Sequence, residues 1–171
     1  HPAADLELAG VLARGDVTES RVSRDGLGLH ELPAGARVGT SSPRRRAQLL
    51  AARPDLEPTI LRGPVDARVR QVREGRFDAA ILATAGLVRL GLEHEIAERL
   101  SLDEFLPAPG QGALVIAVRK TDDAVAARGR ALDDAATRAA VTAELEFLRG
   151  FDGEEDGVAA AWATWGTCGD G

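Results

Sequence analysis

Residues 36–90 decide the fold, and they read ARVGTSSPRRRAQLLAARPDLEPTILRGPVDARVRQVREGRFDAAILATAGLVRL. Short apolar runs alternate there with longer segments, two of which begin at Ser-Pro or Gly-Pro. Such alternation is typical of strands followed by helices in an α/β protein with a parallel sheet. The predicted strands are 36–39, 58–62 and 77–83, and the predicted helices are 42–52, 63–74 and 85–90.

Outside this stretch the periodic signals are sparser. Residues 6–12 are predicted to form a strand, and polar connections follow up to residue 36. A Pro/Gly-rich connection at 106–112 leads to a strand at 113–118 and to two helices, about 123–132 and 134–149. The change from strands to helices places a domain boundary near 119–134. Residues 150–171 show no sustained period and are expected to be poorly ordered.

Composition favours a globular protein of the reducing cytoplasm. Hydrophobic residues make up 44% and charged residues 28% of the 171 positions, an ordinary balance for a globular chain. No apolar run reaches the roughly 18 residues that a membrane span needs, so no membrane association is expected. Cys168 is the single cysteine and has no partner for an internal disulfide. The absence of methionine, even at position 1, suggests a fragment or a processed product.

The charge of the chain is distributed unevenly. Nine arginines and three acidic residues lie between residues 37 and 73, so this segment has a net charge of +6. The rest of the chain has a net charge of −12, which gives the overall −6. One basic face on an acidic protein indicates a local anionic ligand. Nucleic-acid binding is disfavoured because the chain is acidic overall and only 4% aromatic, which leaves few side chains for base stacking.

The first strand-to-helix turn contains a candidate anion site. Ser42 suits an N-cap and Pro43 suits the first helical position. The next three residues are all arginine, although the N-terminus of a helix already carries about +0.5 charge. An anion at this turn would offset that repulsion. It could be held by backbone N–H groups, by guanidinium groups and by the hydroxyls of Thr40, Ser41 and Ser42.

A second turn repeats this design. Arg62 ends a predicted strand, Gly63-Pro64 begins the next helix, and Arg68 lies one turn into it. Ligands of open α/β sheets collect at the carboxyl ends of the strands, so Arg44, Arg45, Arg62 and Arg68 are predicted to share one cleft. Arginine binds carboxylates through paired hydrogen bonds. The residues alone therefore predict a site for a polycarboxylate or a phosphate and leave the reaction open.

Other common sites have little support in the sequence. The three histidines (His1, His30 and His94) are far apart and have no cysteine nearby, so no metal site is predicted. No GxSxG, Walker-type or GxGxxG motif occurs, and the lone Gly110-Gln111-Gly112 is too common to be informative.

Several ordered motifs resemble the porphobilinogen deaminase family. VGTSSPRRRAQL (38–49) is similar to the segment around the family's paired arginines, and SRDG (23–26) precedes it at matching spacing. The resemblance covers about residues 6–149. Its further motifs are LRGPVDARV (61–69), DAAILATAGLVRLGL (78–92), LPAPGQGAL (106–114) and VTAE (141–144).

The resemblance implies an enzyme of tetrapyrrole biosynthesis, a transferase called hydroxymethylbilane synthase. It condenses four porphobilinogen molecules head to tail with release of ammonia, on a dipyrromethane cofactor held by a cysteine thioether. The implied protein is a monomer with a fold like that of periplasmic binding proteins and a small third domain. The implied carboxylate-binding residues are Arg44, Arg45, Arg62, Arg68, Arg89, Thr40, Ser41, Ser42 and Gln111.

The resemblance also implies domain limits. Residues 1–17 would be a remnant of the first domain and its hinge, and 18–106 the α/β second domain. Residues 107–130 would be the hinge and a strand returning to the first domain. Residues 131–171 would begin an α+β third domain and end in a divergent tail.

The sequence departs from the family pattern at functional positions. The family's catalytic aspartate would fall before His1, so no catalytic residue is expected within the chain. Glu155 stands where the cofactor cysteine belongs, and Cys168, thirteen residues later, is a poor substitute. Leu145 replaces an arginine, and Pro64 replaces an asparagine. The chain is therefore expected to be inactive alone. The alternative is a non-catalytic, carboxylate-binding module of the periplasmic-binding-protein type.

Overall fold

The computed structural model describes residues 4–150 and 159–164, which include two sheets, five α-helices and two short 3-10 helices. A ribbon pairs β1 with β7, and the other strands form a five-stranded sheet. The strands are β1 (Leu6–Val11), β2 (Glu19–Ser23), β3 (Arg37–Gly39), β4 (Glu57–Thr59), β5 (Ala79–Ala83), β6 (Glu98–Arg99) and β7 (Val115–Arg119). The helices are α1 (Pro43–Ala52), α2 (Val65–Arg73), α3 (Thr84–Arg89), α4 (Asp123–Arg130) and α5 (Ala135–Arg149).

The five-stranded sheet has the order β4-β3-β5-β2-β6 and carries helices on both faces. Strands β3, β4 and β5 run parallel, which confirms the α/β, doubly wound class predicted from residues 36–90. Strand β2 runs antiparallel to β5 and β6, so the sheet is mixed. Because β2 is antiparallel, it begins at the edge where β5 ends.

The core lies on both sides of this sheet. In β5, Ala79 and Ile81 face one cluster, which α1 closes with Leu49. Ala80 and Leu82 face the opposite cluster, to which α2 and α3 contribute. A strand covered on both faces usually has a near-continuous apolar sequence, which explains why residues 79–83 read as a continuous apolar run.

Strand β2 was not predicted, because its region was expected to hold polar connections. Four of its five residues are polar or charged, so it lacks the apolar alternation that indicates a strand. Glu19, Ser20 and Arg21 are nevertheless fully buried. Ser20 and Arg21 have partners on other elements: Ser20 pairs with Thr84, at 2.6 Å between hydroxyl oxygens, and Nε of Arg21 pairs with Glu98, at 3.3 Å. Nη1 and Nη2 of Arg21 are buried without a hydrogen-bond partner among the described residues.

The β1–β7 ribbon packs against α4. Gly10 and Gly129 permit this, because a Cβ on Gly10 would lie 2.4 Å from the carbonyl oxygen of Gly129. Two connecting segments, 12–18 and 107–114, run alongside each other between the ribbon and the five-stranded sheet, and the second turns at residues 109–112. They are joined by a hydrogen bond from the N–H of Leu12 to the carbonyl of Leu114, at 2.9 Å.

A buried ion pair fastens α5 to these two segments. Arg14 donates two hydrogen bonds to the carboxylate of Glu144, at 2.6 and 2.9 Å, and a third through Nε to the carbonyl of Gln111, at 2.9 Å. The same carboxylate accepts the N–H of Gly110 at 2.7 Å and the N–H of Ala163 at 2.8 Å. Residues 159–164 thus make defined contacts, contrary to the expected disorder, although they form no helix or strand.

Among the described residues, no helix is both long enough and apolar enough to cross a membrane.

Candidate functional site

The predicted site residues lie around one edge of the five-stranded sheet. Strands β3, β4 and β5 all end at this edge, since they are parallel. Strand β2 begins there, and its first residue, Glu19, is paired with Ala83 at the end of β5. The topology therefore places a buried carboxylate beside the turns predicted to bind an anion.

The start of α1 has the geometry expected from its sequence. Ser42 is the N-cap, and its hydroxyl accepts the backbone N–H of Arg45 at 3.4 Å. Pro43 is the first helical residue, where its missing N–H removes no intrahelical bond. The hydroxyl of Thr40, which is buried, accepts the N–H of Ser42 at 3.2 Å. Thr40 and Ser42 thus shape the turn, while Ser41 is exposed.

Arg44 points into the protein and is 7% exposed. Its guanidinium donates to Glu19, to the carbonyl oxygen of Leu106, to Gln48 at 3.2 Å and to Gln111 at 3.4 Å. These contacts join α1, β2 and the 106–111 connection through one side chain. Arg44 is therefore largely satisfied by the protein itself.

Arg45 shares the same carboxylate but has a buried donor without a partner among the described residues. Its Nη2 lies 2.8 Å from Oε2 of Glu19, a close ion pair in which the atoms are not aligned as a hydrogen bond. Its Nη1 donates to the carbonyl of Ile81 at 3.4 Å. Its Nε is buried and has no hydrogen-bond partner in the part of the chain that the structure describes. Arg46, the third arginine of the turn, is exposed.

Arg68 is the third cation of this site. Its Nε donates to the carbonyl of Gly63 at 2.7 Å, across the turn that begins α2. Burial, together with the nearby positive charge of Arg45, lowers the pKa of Arg68. Mutual repulsion of this kind is relieved by an anion between the two guanidinium groups.

The remaining predicted residues divide into two groups. Gln111 joins the site, because its amide accepts from Arg44 and donates to the carbonyl of Val17 at 2.8 Å. Arg89 is exposed and donates to the carbonyl of Gly112 at 2.6 Å, so the structure ties it to the connection and shows no contact with Arg44 or Arg45 within the described residues. Arg62 is also exposed, and its guanidinium makes no hydrogen bond or ion pair within residues 4–150 and 159–164.

We call Glu19, Arg44, Arg45, Arg68 and Gln111 the arginine cluster. Sequence reasoning missed Glu19, since it lies in the unpredicted strand β2 and resembles any other acidic residue of the chain. Three consecutive arginines at a helix start did indicate that a counter-charge was needed. The sequence could not show that part of this charge comes from the chain itself.

The arginine cluster is suited to binding an anion. Three guanidinium groups and one carboxylate give it a net charge of +2, and the N-terminus of α1 adds to the positive potential. Within the described ranges no three His, Cys, Asp or Glu side chains lie close enough to hold a metal ion. Glu155 and Cys168, the two positions considered for cofactor attachment, lie outside the described residues.

Comparison with known proteins identifies the family. Residues 1–127 match the family model described as "Porphobilinogen deaminase, dipyromethane cofactor binding domain". The porphobilinogen deaminase of Roseiflexus castenholzii is 51% identical over 144 residues, which are 84% of this chain and 48% of that protein. That of Brevibacillus brevis is 47% identical over 161 residues, which are 94% of this chain and 52% of that protein.

The chain spans about half the length of the curated relatives it matches. The 161-residue alignment must include part of residues 151–171, because only 150 positions precede them, so similarity reaches further than the expected limit near residue 149. Among solved structures, a periplasmic substrate-binding protein from Coxiella burnetii aligns with a TM-score of 0.49 and 17% identity, covering 81% of this chain and 66% of that one. On the sequence matches, the chain belongs to the porphobilinogen deaminase family.

Proposed function

We propose that this chain serves the condensation of four porphobilinogen molecules into hydroxymethylbilane, and that the arginine cluster binds the carboxylates of the pyrroles. The observation that carries this proposal is the pairing of Arg44 and Arg45 on one buried carboxylate, with Nε of Arg45 buried and unpaired. A buried donor without a partner costs free energy, which an incoming acceptor would recover.

The charge of the cluster supports the same class of ligand. Each porphobilinogen carries an acetate and a propionate, and the cluster has a net charge of +2. Charge-assisted hydrogen bonds from a guanidinium to a carboxylate are about twice as strong as neutral ones. Burial, and after it the positive charge of Arg45, lowers the pKa of Arg68, and a carboxylate lying between the two guanidinium groups would offset their repulsion.

The described residues also fit the carboxylates of a dipyrromethane cofactor. Arg45 and Arg68 would hold its acetate and propionate groups, and Arg44 with Gln111 would hold the adjoining connection in place. The cofactor supplies the pyrrole carbon to which the first porphobilinogen is added. The sequence places Glu155 where the family carries the attachment cysteine, and a carboxylate cannot form the thioether, so we propose that this chain carries no covalent cofactor.

Further parts of the proposal follow from the family. The five-stranded sheet would be the second domain, spanning residues 18–106, and Arg62 and Arg89 would reach more distant carboxylates of the growing chain. We propose a monomeric protein of the cytoplasm whose ligand is porphobilinogen and its linear products, with no nucleic-acid or membrane partner.

The proposal is tested by titrating porphobilinogen into the purified chain in a calorimeter. Arg45→Gln is expected to weaken binding tenfold or more, since one guanidinium–carboxylate pair is worth about 1.5–3 kcal/mol. Arg46→Gln is the matched control, because Arg46 occupies the same helical turn but is exposed. Equal affinity of both variants would exclude the arginine cluster as the site, and absence of binding by the unmodified chain would refute the proposal.

Covalent attachment is tested separately. We expect the intact mass of the chain to be unchanged after incubation with porphobilinogen, and Ehrlich's reagent to give no colour with the washed protein. A mass gain with colour would show that Cys168 or another nucleophile holds the cofactor.

A further inference from the structure

Glu19 is completely buried and contacts two arginines at once. Arg44 donates to Oε1 of this carboxylate, while Nη2 of Arg45 lies 2.8 Å from Oε2. Both arginines come from the first turn of α1, but Glu19 comes from strand β2 and precedes Arg44 by 25 residues. The ion-paired group is thus assembled by the tertiary fold.

This arrangement solves an electrostatic problem of the empty site. Arg44 and Arg45 lie in the first turn of α1 and Arg68 near the start of α2, and the N-terminus of a helix repels cations. A carboxylate inside the cluster offsets this repulsion whether or not a ligand is present. Its contacts also fix the direction of Arg45, since Nη2 is held by Glu19 and Nη1 by the carbonyl of Ile81. The donor left over is Nε.

We propose that Glu19 is an internal counter-ion and positioning residue: it stabilises the ligand-free cluster, orients Arg45 and lowers the attraction of the site for small inorganic anions. The last part rests on the proposed carboxylate-binding function, and the first two parts do not. A fixed negative charge in the cluster opposes each negative charge placed beside it. Sulfate places both of its charges there on one compact group, whereas a dicarboxylated pyrrole has its two charges on separate carboxylates and is opposed less.

The counter-ion role is tested in the full chain without porphobilinogen. Glu19→Gln removes the charge and keeps the shape, so the midpoint of thermal unfolding should fall in sodium chloride. Sodium sulfate at matched ionic strength should restore at least half of the loss, because sulfate replaces the missing anion. If the variant is unfolded in chloride, sodium sulfate is titrated into it instead. Its native far-UV circular dichroism should then return as the sulfate concentration rises.

Two controls separate this effect from general salt stabilisation. Glu19→Asp keeps the charge, and its midpoint should respond to sulfate as the unmodified chain does. Glu98→Gln removes a different carboxylate of the same sheet, the partner of buried Arg21, and should lose stability without any extra recovery in sulfate. An equal response to sulfate in Glu19→Gln, Glu98→Gln and the unmodified chain would overturn the counter-ion role.

Selectivity is tested by calorimetry with porphobilinogen and with sulfate. Glu19→Gln should bind sulfate more tightly, and its preference for porphobilinogen over sulfate should fall by roughly tenfold or more, as expected for one charge removed from a buried cluster. An unchanged preference would overturn the selectivity role. If the unmodified chain binds no porphobilinogen while Glu19→Gln still regains stability in sulfate, the proposed function fails and the counter-ion role stands.

Discussion

Replacing Glu144 by alanine would leave the guanidinium of Arg14 without its carboxylate in a place where water reaches little of either side chain. The side chain of Glu144 is 1% exposed and that of Arg14 is 12% exposed. The carboxylate accepts four hydrogen bonds, two from Arg14 and two from backbone N–H groups of Gly110 and Ala163. The change therefore removes one partner of a buried ion pair and the acceptor of two backbone N–H groups.

The expected loss follows from these contacts. Removing one partner of a buried ion pair destabilises a protein by about 3–5 kcal/mol, because the other charge remains buried and uncompensated. The N–H groups of Gly110 and Ala163 would also lose their acceptor, which places Glu144→Ala at the upper end of this range. Glu144→Gln keeps one acceptor oxygen and should lose about half as much. The total free energy of unfolding of a protein is about 5–15 kcal/mol, so the loss is a large share of its stability.

The assay is urea unfolding of the purified chain, followed by far-UV circular dichroism. Glu146→Ala is the matched control, because Glu146 lies two residues along α5 and its pair with Arg149 is exposed. Exposed pairs of this kind contribute about 0–1 kcal/mol. A loss below about 1 kcal/mol for Glu144→Ala with an unchanged m-value, or equal losses for Glu144→Ala and Glu146→Ala, would refute the reasoning.

Two further predictions concern pH and the connection between the sheets. Burial alone would raise the pKa of Glu144, but hydrogen bonds from Arg14 and from the N–H groups of Ala163 and Gly110 outweigh it and lower the pKa below the ordinary 4.5. The stability from Glu144 is therefore present above pH 4.5 and lost as the pH falls through the lowered pKa. The thermal midpoints of Glu144→Gln and the unmodified chain should therefore converge as the pH falls below 4.5; a constant gap would contradict this. Gly112→Ala should cost about 2–4 kcal/mol in urea unfolding, because φ is +82° and the new Cβ would lie 2.7 Å from the carbonyl oxygen of Gly15. Gly26→Ala has a similar φ of +75° and no atom within 4 Å, so it should cost only about 1–2 kcal/mol, and equal losses at both positions would show that the close approach is unimportant.

Much of the fold could be predicted from residues 36–90 because local rules apply there. Ser42-Pro43 fixes the start of α1 through a cap and a preset φ, and both effects depend on neighbours in sequence. The apolar run of β5 indicates a strand buried on both faces, and the structure shows cores on both sides. The order of the motifs also identified the family, since their spacing is a property of the sequence itself.

Strand β2 and the inner partner of the arginines were decided by tertiary structure. Glu19, Ser20 and Arg21 are polar, and burying a polar side chain costs free energy that contacts with distant groups must offset. Those groups belong to α1, α3 and β6, so no window of sequence around residue 20 contains the reason for burial. The same holds for Arg14 and Glu144, which are 130 positions apart.

The sequence by itself determined which residues could bind an anion and the helix start that presents them. Only the tertiary structure decided how the arginines differ: Arg44 is used by the protein, Arg45 retains a free donor, and Arg62 and Arg89 lie at the surface. The physical reason is that a guanidinium forms hydrogen bonds over distances of a few ångströms. Its role therefore depends on which carboxylates and carbonyls the fold brings within that range.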